Sequence, residues 1–215
     1  LLKQASDGKV ARAQLEALLD VYDQQLSELG HRVVEHRQAL LRRLLPGYQQ
    51  AFAAISRAGI QVDLRYGKLN DAQELEPMPS SAAERLDEFR RRRARDLVRA
   101  TTSFGPHRDD LLFRFDQRDA GVFASQGQLR AMVLAWKTAE LQLIQAIRGE
   151  SPILLLDDVS SELDPSRNQY LFEHLAEAAG QCFITTTHPS HVLLSQGRVD
   201  YRVVAGAVTG SVTLA

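Results

Sequence analysis

An α/β lobe behind a mainly helical arm is the fold class this sequence predicts, and three observations predict it. Two short apolar runs, Ile153–Leu156 and Gln181–Thr187, have the character of strands in a parallel sheet, where both faces are covered and alternation is lost. A helical segment, Pro165–Ala179, lies between them. Earlier in the chain the pattern is different. Apolar residues recur at steps of four and three (Leu15, Leu19, Tyr22, Leu26, Leu29, Val33, with His36 in the series, then Leu40), which predicts a helix with a nearly heptad seam that packs on other helices. At Thr101 charge density falls and short strands begin. The expected division is therefore a helical arm over 1–100 and an α/β lobe over 101–215.

In chain order, the first helix runs from Val10 to Leu45, with Gly30 as a point of bending and Pro46-Gly47 as its end. A shorter helix follows over Tyr48–Arg57. Ile60–Tyr66 alternates strictly and reads as a half-exposed strand. Lys68–Pro79 is a loop, and Ser81-x-x-Glu84 is a capping box at the start of the next helix. That helix carries Arg85, Arg90, Arg91, Arg92, Arg93, Arg95 and Arg99. Such a run is either a solvated helix or a contact for a phosphate backbone, to which arginine is well suited. Only Phe89 is near enough to stack on a base, so sequence-specific readout is not expected. Gly105-Pro-His-Arg-Asp-Asp110 is a loop, either a turn held by its own ion pairs or a nucleotide contact. Strands follow at Leu111–Phe115 and Val122–Phe123, then a long helix over Gln126–Arg148. The chain closes on a hairpin, Val199–Val204 with Val208–Leu214, turning at Gly206.

Composition sets bounds. The chain has 215 residues, 44% of them hydrophobic, which fits one domain or two small ones. The net charge of −1 gives no global attraction for nucleic acid, so any such contact must use local patches. The single cysteine, Cys182, excludes an internal disulfide and fits a reducing compartment. No apolar stretch reaches transmembrane length, so a cytoplasmic protein without a membrane partner is expected.

The chemistry concentrates at helix and strand ends. Ile153–Leu156 runs straight into Asp157 and Asp158, and ligands of open α/β sheets sit beyond the carboxyl ends of their strands. Two acids there suit Mg²⁺, a hard cation that shares oxygen ligands with phosphate; the first acid would serve the metal and the second would orient or deprotonate a water. Ser125 is placed to cap the Gln126–Arg148 helix, whose free N–H groups, with Gly127 allowing close approach, form an anion site. Asp164 is a second N-cap, with Pro165 at the first helical position.

Together these motifs resemble the C-terminal half of an ABC-type ATPase head. Ser125-Gln126-Gly127-Gln128 is similar to the signature motif, Ile153–Asp158 to Walker B and Ser160–Asp164 to the D-loop. With Gly105–Leu111 they resemble the RecF family of DNA replication and repair proteins, bacterial relatives of the SMC and Rad50 heads. The resemblance runs from about Thr101 to His188. It implies ATP and Mg²⁺ as cofactors, with Asp157 on the metal and Asp158 positioning water. It also implies His188 as the switch histidine, and Ser125, Gln126, Gly127, Gln128 and Asp164 on nucleotide. It further implies an ATP-dependent head-to-head homodimer in which the signature meets the γ-phosphate held by the opposite subunit. Single-stranded, gapped or junction DNA and the RecO and RecR proteins would be partners, in a role linked to the SOS response. The sequence departs from the transporter-type Ser-Gly-Gly-Gln at Gln126, and carries Asp158 where many relatives have Glu.

No Gly-x-x-x-x-Gly-Lys-Ser/Thr occurs in the chain, and Leu1-Leu2 opens inside a helical pattern. The expectation is a C-terminal portion of a longer protein that holds half of an ATP site, a weak ATPase only when completed by a Walker A lobe. Two alternatives stay open, a nucleotide-binding subunit of another ABC-type system and a truncated non-catalytic scaffold.

Overall fold

A computed structural model describes residues 12–56, 59–70, 74–158, 164–178, 180–194 and 196–214. The expected helix start at Val10, the D-loop residues 160–163 and the helix end at Ala179 lie outside the described residues. The chain forms two compact units, Leu1–Arg43 with Asp63–Ala120, and Leu44–Val62 with Gly121–Ala215. Residues 101–120 thus pack with the first unit. Phe104 meets Phe89 edge-on at 5.0 Å, and Asp96 Oδ2 accepts from Ser103 N at 3.0 Å.

In the first unit, α1 (Arg12–Ser56) contributes its residues up to Arg43. The predicted break at Pro46-Gly47 is corrected, because one helix continues through Pro46. A proline inside a helix loses one backbone hydrogen bond, and here burial of the next turns outweighs that loss: Leu44, Tyr48, Ala51, Phe52 and Ile55 are all buried. The expected seam is also corrected. Leu15 and Leu19 are buried, but Tyr22, Leu26, Leu29, Val33 and Leu40 are exposed. The buried line runs instead through Asp23, Ser27, Gly30 and Val34. The reason is local: Asp20 and Asp23 hold Arg93, and a Cβ at Gly30 would lie 3.3 Å from Pro106 Cδ, so Gly30 is a docking notch and not a bend.

β1 (Val62–Gly67) is half-exposed as its alternation predicts. α2 (Ala82–Arg99) is capped by Ser81, which accepts from Glu84 N, while the Glu84 carboxylate reaches back to Ser80 N at 2.7 Å. β2 (Asp110–Phe115) and the two-residue β3 (Arg118–Asp119) pair antiparallel, and the sheet order is β1-β2-β3. Val122–Phe123 is not a strand. It belongs to a short helical turn, α3 (Ala120–Phe123), that buries Ala120 and leaves both large side chains in solvent. Arg85 of α2 is not one of the exposed arginines of the run, being only 1% exposed.

In the second unit, the end of α1 packs on α4 (Gln126–Arg148). Gly47 faces Ala139, a Cβ there lying at an ordinary contact distance of 3.5 Å from Ala139 Cβ, and Tyr48 meets Trp136 edge-on. α4 ends at Gly149 in the left-handed conformation that glycine adopts without strain. β4 (Ile153–Asp157) and β5 (Gln181–Thr185) pair in parallel, from Ile153 with Gln181 to Asp157 with Thr185, and α5 (Pro165–Ala178) joins them. The expected full burial of these strands is corrected. Ile153, Leu155 and Phe183 are 63%, 73% and 54% exposed, because one face of the pair has no cover among the described residues. β6 (Arg198–Val204) and β7 (Ala207–Leu214) form the expected hairpin, with positive φ at Ala205 and Gly206. Its register shifts beside Gly210. No described helix is long and apolar enough to cross a membrane.

Candidate nucleotide half-site

The second unit holds every described residue expected on nucleotide or metal, whereas Gly105–Leu111 lies in the first. At the start of α4, Ser125 Oγ accepts from Gln128 N at 3.3 Å and Gln128 Oε1 accepts from Ser125 N at 2.7 Å. This reciprocal box ties down Ser125 and Gln128 and holds the first turn with its N–H groups toward solvent. At the start of α5, Asp164 Oδ1 accepts from Ser166 Oγ at 2.7 Å and from the Ser166 and Arg167 backbone N–H groups. The Ser166 hydroxyl, with these N–H groups and Arg167, lowers the Asp164 carboxyl below its ordinary range.

Arg167 joins the two helix starts. Its Nη1 lies 2.7 Å from Asp164 Oδ2, and a Cβ on Gly127 would come within 3.2 Å of the same nitrogen. Glycine at 127 thus accommodates a close approach by a guanidinium, in addition to any approach by a ligand. Because Arg167 is paired with Asp164, it adds little net charge, and the anion-attracting field at this point is that of the α4 N-terminus itself. The spacing Asp164-x-x-Arg167, an N-cap and its i+3 neighbour, is the sequence signal for this pairing.

At the strand ends, Thr185 is the organising residue that sequence reasoning missed. Its hydroxyl donates to Asp157 Oδ1, and its carbonyl accepts from Asp158 N at 3.1 Å. Asp158 N also lies 3.2 Å from Thr185 Oγ1, and Asp158 has a positive φ of 47°. Asp158 thus leaves the extended conformation of β4 for the left-handed region, which is uncommon for a non-glycine residue. Asp157 Oδ2 has no partner among the described residues, so the carboxylate fits one ligand position of a hard cation completed by phosphate and water. No cluster of three His, Cys, Asp or Glu occurs among the described residues, so a dedicated all-protein cage is not what these residues offer.

β5 ends at Thr185, two residues earlier than the sequence suggested. His188 follows as the residue before a short 3₁₀ turn, Pro189–His191. Its N–H donates to Thr186 Oγ1 at 3.1 Å and its ring lies 5.2 Å from that of His191. His191 is tied down in turn, its carbonyl accepting from the buried Asn168 of α5 at 2.7 Å. The structure therefore joins Ser125–Gln128 to Asp164 through Arg167, and Asp157 to Asp158 through Thr185. His188 stands on the segment that follows β5.

Comparison with known proteins decides the kinship. The chain is 40% identical to the DNA replication and repair protein RecF of Myxococcus xanthus over 176 residues, which is 81% of this chain and 46% of that protein. It is 38% identical to the RecF of Heliobacterium modesticaldum over 217 residues, 98% of this chain and 56% of that protein. The chain belongs to the RecF family. Two solved structures of the recombination mediator protein RecF in the RecFOR pathway, one with ATP and one with ATPrS, superpose with TM-scores of 0.77 at 26% and 28% identity. They are covered to 54% and 53%, while 99% and 97% of this chain is matched. The chain thus spans about half the length of the RecF proteins it matches, and its fold is that of the C-terminal lobe of an ABC-type ATPase head with a helical arm. No family model matches it.

Proposed function

We propose that this chain supplies one half of an ABC-type ATP site in an ATP-dependent DNA-binding protein of recombinational repair and replication restart. The observation that carries this reading is the pairing within one unit of two half-site elements. One is an N-terminal anion site tied through Arg167 to Asp164; the other is a parallel strand whose terminal carboxylate is oriented by Thr185. Residues 101–215 act as the head lobe and 1–100 as the arm. The RecF structures with ATP and ATPrS support ATP as the nucleotide.

In this reading Asp157 holds Mg²⁺, which when bound neutralises charge on the phosphates. Asp158, at the backbone bend that follows β4, positions the attacking water. Its side chain is shorter than Glu and reaches less far, which suits slow hydrolysis that times a switch. His188 faces the γ-phosphate. Ser125, Gln126, Gly127 and Gln128 offer the α4 N-terminus to nucleotide held by a second head, with Asp164 at the same junction, so ATP joins two heads into a homodimer. DNA, single-stranded, gapped or at a junction, binds that dimer, and RecO and RecR are partners in an SOS-linked, cytoplasmic role. The exposed apolar face of β4–β5 supports completion of the head by a further lobe carrying the phosphate cradle, since parallel strands are normally covered on both faces.

Titration calorimetry of Mg-ATP against the 215-residue chain tests the half-site. The expected result is no binding tighter than about millimolar, some 4 kcal/mol. Micromolar binding would place a complete phosphate cradle within these residues and overturn the reading.

A further inference from the structure

The arginine-rich helix α2 left two readings open in the sequence, and the structure sorts its guanidinium groups into two kinds. Arg91 and Arg92 are held by Glu88, and Arg92 also faces Glu76 at 3.6 Å. Arg93 lies between Asp20 and Asp23 at 2.7 and 2.6 Å. Their charge is neutralised by partners, so their pull on an incoming anion is weak. Arg95 and Arg108 are held differently. Arg95 Nη2 donates to Ser103 Oγ at 3.0 Å. Arg108 donates from Nε to the Thr102 carbonyl at 3.2 Å and from Nη2 to Thr101 Oγ1 at 3.4 Å. Neither meets a carboxylate within ion-pair distance among the described residues. Arg99 is exposed in the last turn of α2, directly before this segment, and His107 Nε2 lies 3.3 Å from the Thr102 carbonyl.

Arg95, His107 and Arg108 converge on Thr101–Ser103, Arg99 precedes it at the end of α2, and that segment is fixed. Thr101 N donates to the Asp96 carbonyl at 3.2 Å, Ser103 N donates to Asp96 Oδ2, and Phe104 is buried on Phe89. The acids nearby are Asp96, buried beneath the segment and accepting from Ser103 N, Asp109, which accepts from Tyr66, and Asp110, which accepts from Leu111 N; none of the three forms an ion pair with Arg95, Arg99 or Arg108 among the described residues. An arginine held by hydroxyl and carbonyl oxygens keeps its full charge and spare N–H donors. The Thr101 and Ser103 hydroxyls accept from arginine, which leaves their own O–H groups to donate outward.

We propose that Arg95, Arg99 and Arg108, gathered around Thr101–Ser103, bind the phosphodiester backbone of nucleic acid, and that the Arg91–Arg93 part of the run does not. The proposal rests on the DNA-binding reading above and locates that contact. Phe89 and Phe104 are buried, so no aromatic platform accompanies the patch, and the contact positions the strand without reading its sequence.

Fluorescence anisotropy of the 215-residue chain with labelled single-stranded and duplex DNA, titrated with salt, tests this. Arg95→Ala, Arg99→Ala and Arg108→Ala should each weaken binding about threefold to tenfold, and each should lower the slope of log K against log salt by about 0.7 to 0.9. Arg91→Ala should change affinity by less than about twofold, as expected for an exposed arginine already paired with Glu88. Arg95→Gln and Arg108→Gln keep a hydrogen-bonding side chain and remove the charge, so their loss of binding at unchanged circular dichroism separates contact from folding. A triple alanine variant that binds DNA with the parent affinity and slope overturns the patch and leaves DNA binding standing. A parent chain that binds neither DNA at low salt overturns the DNA-binding reading and the patch with it. A triple variant that loses inorganic triphosphate but keeps DNA assigns the site to free nucleotide and also overturns the proposal.

Discussion

The first unit buries Asp23, Ser27, Arg85, Glu88 and Asp96, and the second buries Tyr48, Phe52, Ala131, Ala135 and Ala139 while leaving Ile153, Leu155 and Phe183 in water. The same long helix, α1, serves both. Its first part presents Asp20, Asp23 and Gly30 to charged and polar neighbours, and its last part presents an apolar face to α4. The first unit closes on itself through ion pairs that find their partners within the unit. The second has a dry helical layer and an open sheet face. The first unit adds a charge network to an apolar core that includes Leu15, Leu19, Val34, Leu64, Phe89 and Phe104, whereas a parallel strand pair with one bare face needs more protein to complete it.

The largest effect expected from this contrast lies in the dry layer. Phe52→Ala removes a fully buried ring and should cost the second unit about 3 to 5 kcal/mol, through lost transfer energy and the cavity left behind. Trp136 is the only tryptophan and meets Tyr48 edge-on, so urea unfolding followed by its fluorescence reports this unit. A loss under about 1 kcal/mol would mean the layer is loosely packed and the contrast is false.

Next comes the ionic arm. Arg93→Ala leaves Asp23 beside a vacancy in a mostly buried site and should cost about 2 to 3 kcal/mol. That is less than the full cost of breaking a buried pair, because a fifth of the Arg93 side chain is in water. Arg93→Leu with Asp23→Leu should cost less than the sum of the two single changes, since the pair then disappears together. Additive losses in that cycle would show that the bridge itself carries no coupling.

The fold class and the strand-end acids were legible because their signals are local: a continuous apolar run, a cap followed three residues later by its partner, a Gly in a turn. The α4 helix appears over Gln126–Arg148 and the closing hairpin at Gly206, as periodicity and turn chemistry indicate. The seam of α1 was not legible. Tyr22, Leu26 and Leu29 are the apolar residues, but an ion pair to Arg93 and a notch for Pro106 choose the other face. Those partners are about 70 residues away, beyond any window of periodicity. Arg85 was misread for the same reason, since its burial beside Phe104 depends on tertiary packing. In the site, Asp157, Asp158, Ser125 and Asp164 were singled out by motif, whereas Thr185 and Arg167 were not. Each acts through a second element brought near by the fold: Thr185 through strand register, Arg167 through the docking of α5 on Gly127.

The smallest effect tests the open face directly. Phe183 and Leu155 are register partners on β5 and β4, and both side chains lie mostly in solvent. Replacing Phe183 with Thr keeps a residue that favours strands and removes an exposed ring. The cross-strand pair with Leu155 is worth roughly 0.2 to 1 kcal/mol, and little further burial is lost, so the chain should lose no more than about 1 kcal/mol. Light scattering should at the same time show less self-association, because contiguous exposed apolar surface drives it. If Phe183→Thr instead costs about 3 kcal/mol or more, the ring is covered in solution and the face is not open. If stability is unchanged and self-association falls, the bare face is real, and what the second unit lacks is cover for β4 and β5.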